Sequence, residues 1–340
     1  MATHTLPTLS TGAATRRQWR AMGTDAEVII VAEGTEPGTV EALADLAVQR
    51  VEILEQSWSR FRATSELSSL NRHSGRGPMQ ASVDLIELVD RMQQAWRWTQ
   101  GACDAAVHDV MMERGYDRDF SLLAPAGEHD ATDLDSLGGD LPSRVRGVHR
   151  TLAEVVVDHA SGTIDLPSSV RIDPGAIGKG LAADIVCREM SAAGATGGLV
   201  NLGGDVCIFG TWLDGQAWQV ALHDERTPRD TTFSGATLTV HDSPCGIATS
   251  TSLRRRWRVH GHVVHHVIDP STGRSAHSDL VQATVVAPTA WQAEAAATAA
   301  LVLGRQRGES WLTEHGLDAF LFSPHSMSML TGGSHVTLTA

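Results

Sequence analysis

The sequence of 340 residues predicts an α+β fold, and two observations carry that prediction. Helical periodicity is concentrated early, in residues 38–61 and 81–101. From residue 152 onwards strand-type runs dominate, interrupted by only two helical stretches, 178–194 and 290–303. Helices and strands gathered in separate blocks lack the regular alternation of a βαβ fold. The length suits two domains or one large unit of two subdomains, with ample chain for a core.

Taken in order, residues 1–20 are rich in Thr and Ala and are expected to be disordered, leaving a single folded unit over 21–335. "GTDAEVIIVAE" (23–33) reads as a strand. The stretch 38–61 places Leu43, Leu46, Ala47 and Val51 on one helical face, and 81–101 is a second amphipathic helix closing at Gly101. Residues 124–150, with their Asp, Gly and Pro, read as a surface loop and subdomain boundary. "LVNLGGDVCIFG" (199–210) reads as a hairpin turning at Gly203-Gly204, a structural feature on its spacing alone.

A formal net charge of −13, with no basic domain or stripe, argues against a nucleic-acid partner. The one basic run, "LRRRWR" (253–258), is short and fits a solvated face or a local anion contact. The N-terminus shows no apolar leader and no lipid-accepting cysteine, so no membrane anchor or span is expected, and the expected compartment is the cytoplasm. Cys103, Cys187, Cys207 and Cys245 form no CxxC pair and read as buried apolar residues.

"IDPGAIGKGLAADIV" (172–186) sets Lys179 among glycines where a strand becomes a helix. Glycines let backbone approach a ligand closely, and the unpaired N–H groups of the helix start favour an anion. The spacing matches neither a Walker A loop nor a dinucleotide fingerprint. On this stretch alone, an ordinary turn with a solvated lysine explains it equally well. In "AWQAEAAATAALVLG" (290–304), Glu294 and Thr298 stand one turn apart on one face, hard oxygen donors suited to Mg²⁺. His260, His262 and His266 share a strand face; no Cys or Asp completes a zinc set, so a single histidine acting as proton acceptor is the reading, with His265 structural.

In chain order, "AMGT" (21–24), "SRFRATSELSSLN" (59–71), "GACDAAV" (101–107), "DPGAIGKGLAAD" (173–184), "NLGGD" (201–205), "IATS" (247–250), "HVIDPSTG" (266–273) and "AEAAATAALVLG" (293–304) resemble the successive motifs of the ApbE family, the FAD:protein FMN transferases. The resemblance implies two subdomains of mixed or antiparallel sheets flanked by helices, with FAD in a cleft between them. It implies Mg²⁺-dependent transfer of FMN from FAD to a Ser or Thr hydroxyl of an unidentified flavin-accepting protein, with AMP released. By that resemblance Met22, Ser59, Asp104, Ala105, Ala106, Asp173, Lys179 and Ile268 border the flavin nucleotide. The carbonyl of Ala176, kept accessible by the glycines, together with Glu294, Ala297 and Thr298, falls at the metal positions, and His266 opens the His-x-x-Asp-Pro-x-Thr-Gly motif as the catalytic base. The chain departs from the family in having Glu294 for Asp, Ala106 for Thr, Thr251 for Gly and alanine at position 297. FAD hydrolysis and non-catalytic FAD binding are therefore the competing outcomes. "SGAT" (234–237) resembles the end of a flavin-acceptor sequence, but Asp230 stands one residue too far away, so no flavin is expected at Thr237.

Overall fold

The structure, a computed structural model, describes residues 13–36, 38–123, 152–227, 236–332 and 336–339. The expected boundary at 124–150 and residues 230–235 ahead of Thr237 lie outside the described residues. An eight-stranded sheet forms the centre: β1 (Ala14–Ala21), β2 (Thr24–Val31), β3 (Gly197–Leu202), β4 (Asp205–Gly210), β5 (Cys245–Thr251), β6 (Gln282–Ala287), β7 (Asp318–Phe322) and β8 (Met327–Leu330). Its strands lie side by side in chain order, and every neighbouring pair is antiparallel. Strand β1 corrects the expected disorder of 1–20 over its C-terminal part. "ATRRQWRA" alternates poorly in polarity, but pairing with β2 from Ala14↔Val31 to Ala21↔Thr24 organises it.

Among the described residues six α-helices accompany the sheet: α1 (Thr39–Trp58), α2 (Glu66–His73), α3 (Val83–Trp98), α4 (His108–Glu113), α5 (Gly178–Ala192) and α6 (Ala290–Glu314). The strands are apolar almost throughout because both faces of the sheet are covered. Side chains of a strand alternate between faces, and here each face has its own core. Val28, Ile30, Val200 and Leu202 pack with α1, α3 and α5, while Ala283, Val285, Ala319 and Leu321 pack against α6. Their alternates, Ile29, Val31, Leu199, Val286, Phe320 and Phe322, pack on a three-stranded sheet of Trp218–Ala221, Thr237–Val240 and Val336–Thr339. Thr237 opens its strand as expected, flanked by Ala221 and Thr339.

Helix α1 buries Val40, Leu43, Ala44, Ala47, Val51, Leu54 and Trp58; Leu46, expected on that face, is 50 % exposed. The expected helix over 290–303 continues to Glu314, broken at Gly304, whose φ of 74° is left-handed. Asp184 of α5 caps α6, its carboxylate oxygens accepting from Ala290 N (2.8 Å) and Trp291 N (2.9 Å). Ser65 caps α2 by accepting from Ser68 N at 3.0 Å. Ser65→Ala is expected to cost about 1 kcal/mol, read as a lower urea midpoint at unchanged slope. Among the described residues no helix is long and apolar enough to cross a membrane.

Candidate active site

One cavity of about 640 Å³ gathers most of the residues that the motifs single out. Met22 reaches it from the β1–β2 turn and Ser59 from the end of α1. Asp104, Asp173, Ala176, Lys179, His266, Ile268, Glu294 and Thr298 complete that set. Three expected members do not line it. Ala297 is fully buried in the core of α6 against the sheet, and its methyl group carries no metal donor. Ala105 is buried too, and Ala106 packs beside the helical core. Both contribute backbone: Ala105 O accepts from Asp173 N (2.8 Å), and Ala106 N donates to Asp104 Oδ1 (2.8 Å). Burial pushes the Asp104 carboxyl up to about 6, against that hydrogen bond.

The loop before α5 is clamped from both sides. Asn71, buried on α2, donates Nδ2 to Ile172 O and accepts from Ile172 N, both at 2.9 Å. Asp173 accepts from Gly175 N at 2.8 Å and pairs with Arg60 Nε at 2.8 Å. Arg60 also donates to Tyr116 O (2.6 Å) and lies over the rings of Phe61 (4.1 Å) and Tyr116 (4.5 Å). Asp173 is therefore consumed in holding the loop and an aromatic wall together.

Lys179 sits in the first turn of α5, where the helix dipole disfavours a cation. Two carboxylates offset this: Lys179 Nζ bridges Asp205 of β4 and Glu294 of α6. Glu294 Oε2 also accepts from Gly180 N at 2.8 Å. Burial alone would lower the ammonium's pKa, but Asp205 and Glu294 raise it above the usual lysine range. Burial and the neighbouring Asp205 raise the Glu294 carboxyl, Lys179 opposing them. With both acids ionised, the trio carries one more negative than positive charge.

Gly180, beside Lys179, serves helix packing. A Cβ on Gly180 would lie 2.5 Å from Ala290 O and 2.8 Å from Trp291 N, so only glycine lets α5 and α6 approach this closely. Thr298, one turn beyond Glu294, shares a hydrogen bond of 3.1 Å with Ser250. His266 follows the short strand His262–His265 at a bend, half-buried. Its Nδ1 is buried without a hydrogen-bond partner. Burial, then the charge of Arg255, then His265 and Lys179, hold this imidazole well below its ordinary pKa. It is neutral at pH 7 and able to accept a proton. His265 is fully buried, with Nε2 3.1 Å from Ala276 O, and is structural as expected.

Sequence reasoning missed Asp205, Arg60 and Asn71. Asp205 ends the quoted "NLGGD", but a hairpin explains that stretch without any function. Lys179 pairs with Asp205 across 26 positions and with Glu294 across 115, so local spacing holds no trace of either. Among the described residues no three His, Cys, Asp or Glu side chains cluster as a metal site. The hard oxygens of Asp205, Glu294 and Thr298 nevertheless suit Mg²⁺.

The model of the ApbE family matches residues 22–321. The "FAD:protein FMN transferase" of Escherichia coli K12 is 33% identical over 278 residues, covering 82% of this chain and 75% of the relative. That of Treponema pallidum is 30% identical over 291 residues, 82% of this chain and 76% of the relative. Among solved structures, the ApbE protein of Thermotoga maritima superimposes with a TM-score of 0.74 at 21% identity, covering 93% of this chain and 96% of that one. The apo flavinyl transferase ApbE of Pseudomonas stutzeri gives 0.72 at 20% identity, covering 94% and 95%. The family match runs through the strands, helices and loops that build the cavity, and the chain belongs to the ApbE family.

Proposed function

We propose that this enzyme transfers FMN from FAD to a Ser or Thr hydroxyl of an acceptor protein, releasing AMP in a Mg²⁺-dependent reaction. The observation that carries the reading is the convergence of Lys179, Asp205, Glu294, Thr298 and His266 on one cavity of about 640 Å³, a volume suited to a cofactor-sized ligand. Asp205, Glu294 and Thr298, with the carbonyl of Ala176, are the donors that would hold Mg²⁺. The ion would supply charge neutralisation at the diphosphate.

The acceptor oxygen forms a bond to the FMN-side phosphorus as the P–O bond to the AMP phosphate breaks. The bonding pair leaves on AMP, and the hydroxyl proton passes to the imidazole of His266. Positioning and electrostatic stabilisation supply most of the acceleration in such a transfer. Lys179 supplies positive charge beside the phosphates. Four free, buried cysteines suit the cytoplasm proposed as the compartment.

Incubation with FAD and Mg²⁺, with and without an acceptor protein, separates the outcomes by measuring AMP, free FMN and protein-bound flavin. Transfer gives AMP and bound flavin in equal amounts, hydrolysis gives AMP and free FMN, and a binding protein gives neither. His266→Ala is expected to slow AMP release by about 100- to 10,000-fold. Unchanged release in that variant removes His266 as the base.

A further inference from the structure

Six cationic side chains line the cavity: Arg20, Arg60, Arg62, Lys179, Arg254 and Arg255. Five have acidic partners. Arg20 pairs with Asp25 (2.9 Å), Arg60 with Asp173 (2.8 Å), Arg62 with Glu55 (3.5 Å), Lys179 with Asp205 and Glu294, and Arg254 with Glu225. Arg255 alone makes no hydrogen bond or ion pair to a described residue. We propose that Arg255 is a specificity-determining residue of this site, its guanidinium binding the diphosphate oxygens of FAD. The proposal rests on the FAD reading above.

The arginine run "RRR" (254–256) is divided by its surroundings. Arg254 is anchored by the buried carboxylate of Glu225, and Arg256 is itself buried, with Nε donating to Ser252 O at 2.7 Å. Between these anchors Arg255 is held at φ 47°, in the left-handed region. That conformation is unfavourable for an L-residue, and the middle side chain lies half-buried at the cavity wall. The charge of Arg255 acts on both His266 and Lys179 and disfavours protonation of each. Arg255 and Lys179 therefore repel each other across the site until an anion binds between them. A diphosphate with a negative charge on each phosphorus relieves that repulsion, and the planar guanidinium matches two phosphate oxygens at once. Riboflavin has no such group to offer.

The test measures dissociation constants of FAD and of riboflavin, by fluorescence quenching, for the wild-type chain, Arg255→Ala and Arg255→Lys. Arg255→Ala is expected to weaken FAD about 10- to 100-fold and to leave riboflavin unchanged, with Arg255→Lys recovering part of the loss. The melting temperature stays at the wild-type value, since the side chain holds nothing in the free protein. Arg255→Ala that keeps the wild-type FAD affinity, or that loses FAD and riboflavin equally, overturns the assignment while the FAD reading stands. A wild-type chain that does not prefer FAD over riboflavin overturns the FAD reading and the assignment together.

Discussion

Replacing Glu294 by alanine is expected to slow AMP release from FAD by on the order of 1,000-fold. Three contacts end at this carboxylate. It neutralises Lys179, it accepts the N–H of Gly180 in the first turn of α5, and it supplies half of the acidic pair in the cavity. Alanine removes all three. Lys179 keeps Asp205, but Gly180 N loses its acceptor in a buried position, and stability falls by about 3 kcal/mol. Glu294→Gln separates the roles, because the amide oxygen still accepts from Gly180 N while the charge is gone. The glutamine variant should melt close to the wild type and still lose most of its turnover. Glu294→Asp keeps the charge but retracts the carboxylate by one methylene from Lys179 and Gly180, so its activity is expected to fall less than that of alanine. AMP release within tenfold of wild type for both the alanine and glutamine variants, at saturating FAD and Mg²⁺, would remove Glu294 from the mechanism.

Gly180→Ala is expected to be a strongly damaging single-methyl change beside the site. The added Cβ would meet Ala290 O at 2.5 Å, Ala290 C at 2.6 Å and Trp291 N at 2.8 Å. These are backbone atoms of the first turn of α6, which no side-chain rotation can clear, so the helices must separate. Separation stretches the bonds from Ala290 N and Trp291 N to Asp184 and carries Glu294, one turn further on, away from Lys179. Overpacking alone costs about 1–3 kcal/mol, and loss of the cap about 1 more. The expected result is a loss of about 2–4 kcal/mol in urea unfolding, with AMP release falling beyond what the remaining folded fraction explains. A melting temperature within about 2 °C of wild type would mean that α5 and α6 slide past the added methyl without strain.

The two predictions also mark how far the sequence could be read. The α+β class, the hairpin at Gly203-Gly204, the helices near 38–61 and 81–101, and the strand opened by Thr237 are local. Apolar periodicity, turn residues and caps specify them within a dozen positions, and the structure contains each. Pairing of Glu294 with Thr298 on one helix face is local for the same reason. Strand β1 was not legible, because "ATRRQWRA" becomes a strand only through its partner β2. Leu46 fits a helical stripe by spacing, yet that part of α1 faces solvent.

The sequence by itself determined which elements form and which chemistry-bearing residues are present, because hydrogen bonding along a helix and alternation along a strand act over short separations. Tertiary structure alone decided which of them meet. It spent Asp173 on Arg60, withdrew Ala297 into the core, delivered Asp205 from a structural hairpin to Lys179, and set Arg255 at the cavity wall with no ion pair to a described residue. Each of those outcomes depends on charge balance and close packing between segments separated by tens to more than a hundred residues. Only the folded arrangement of α5, α6 and the sheet sets those distances.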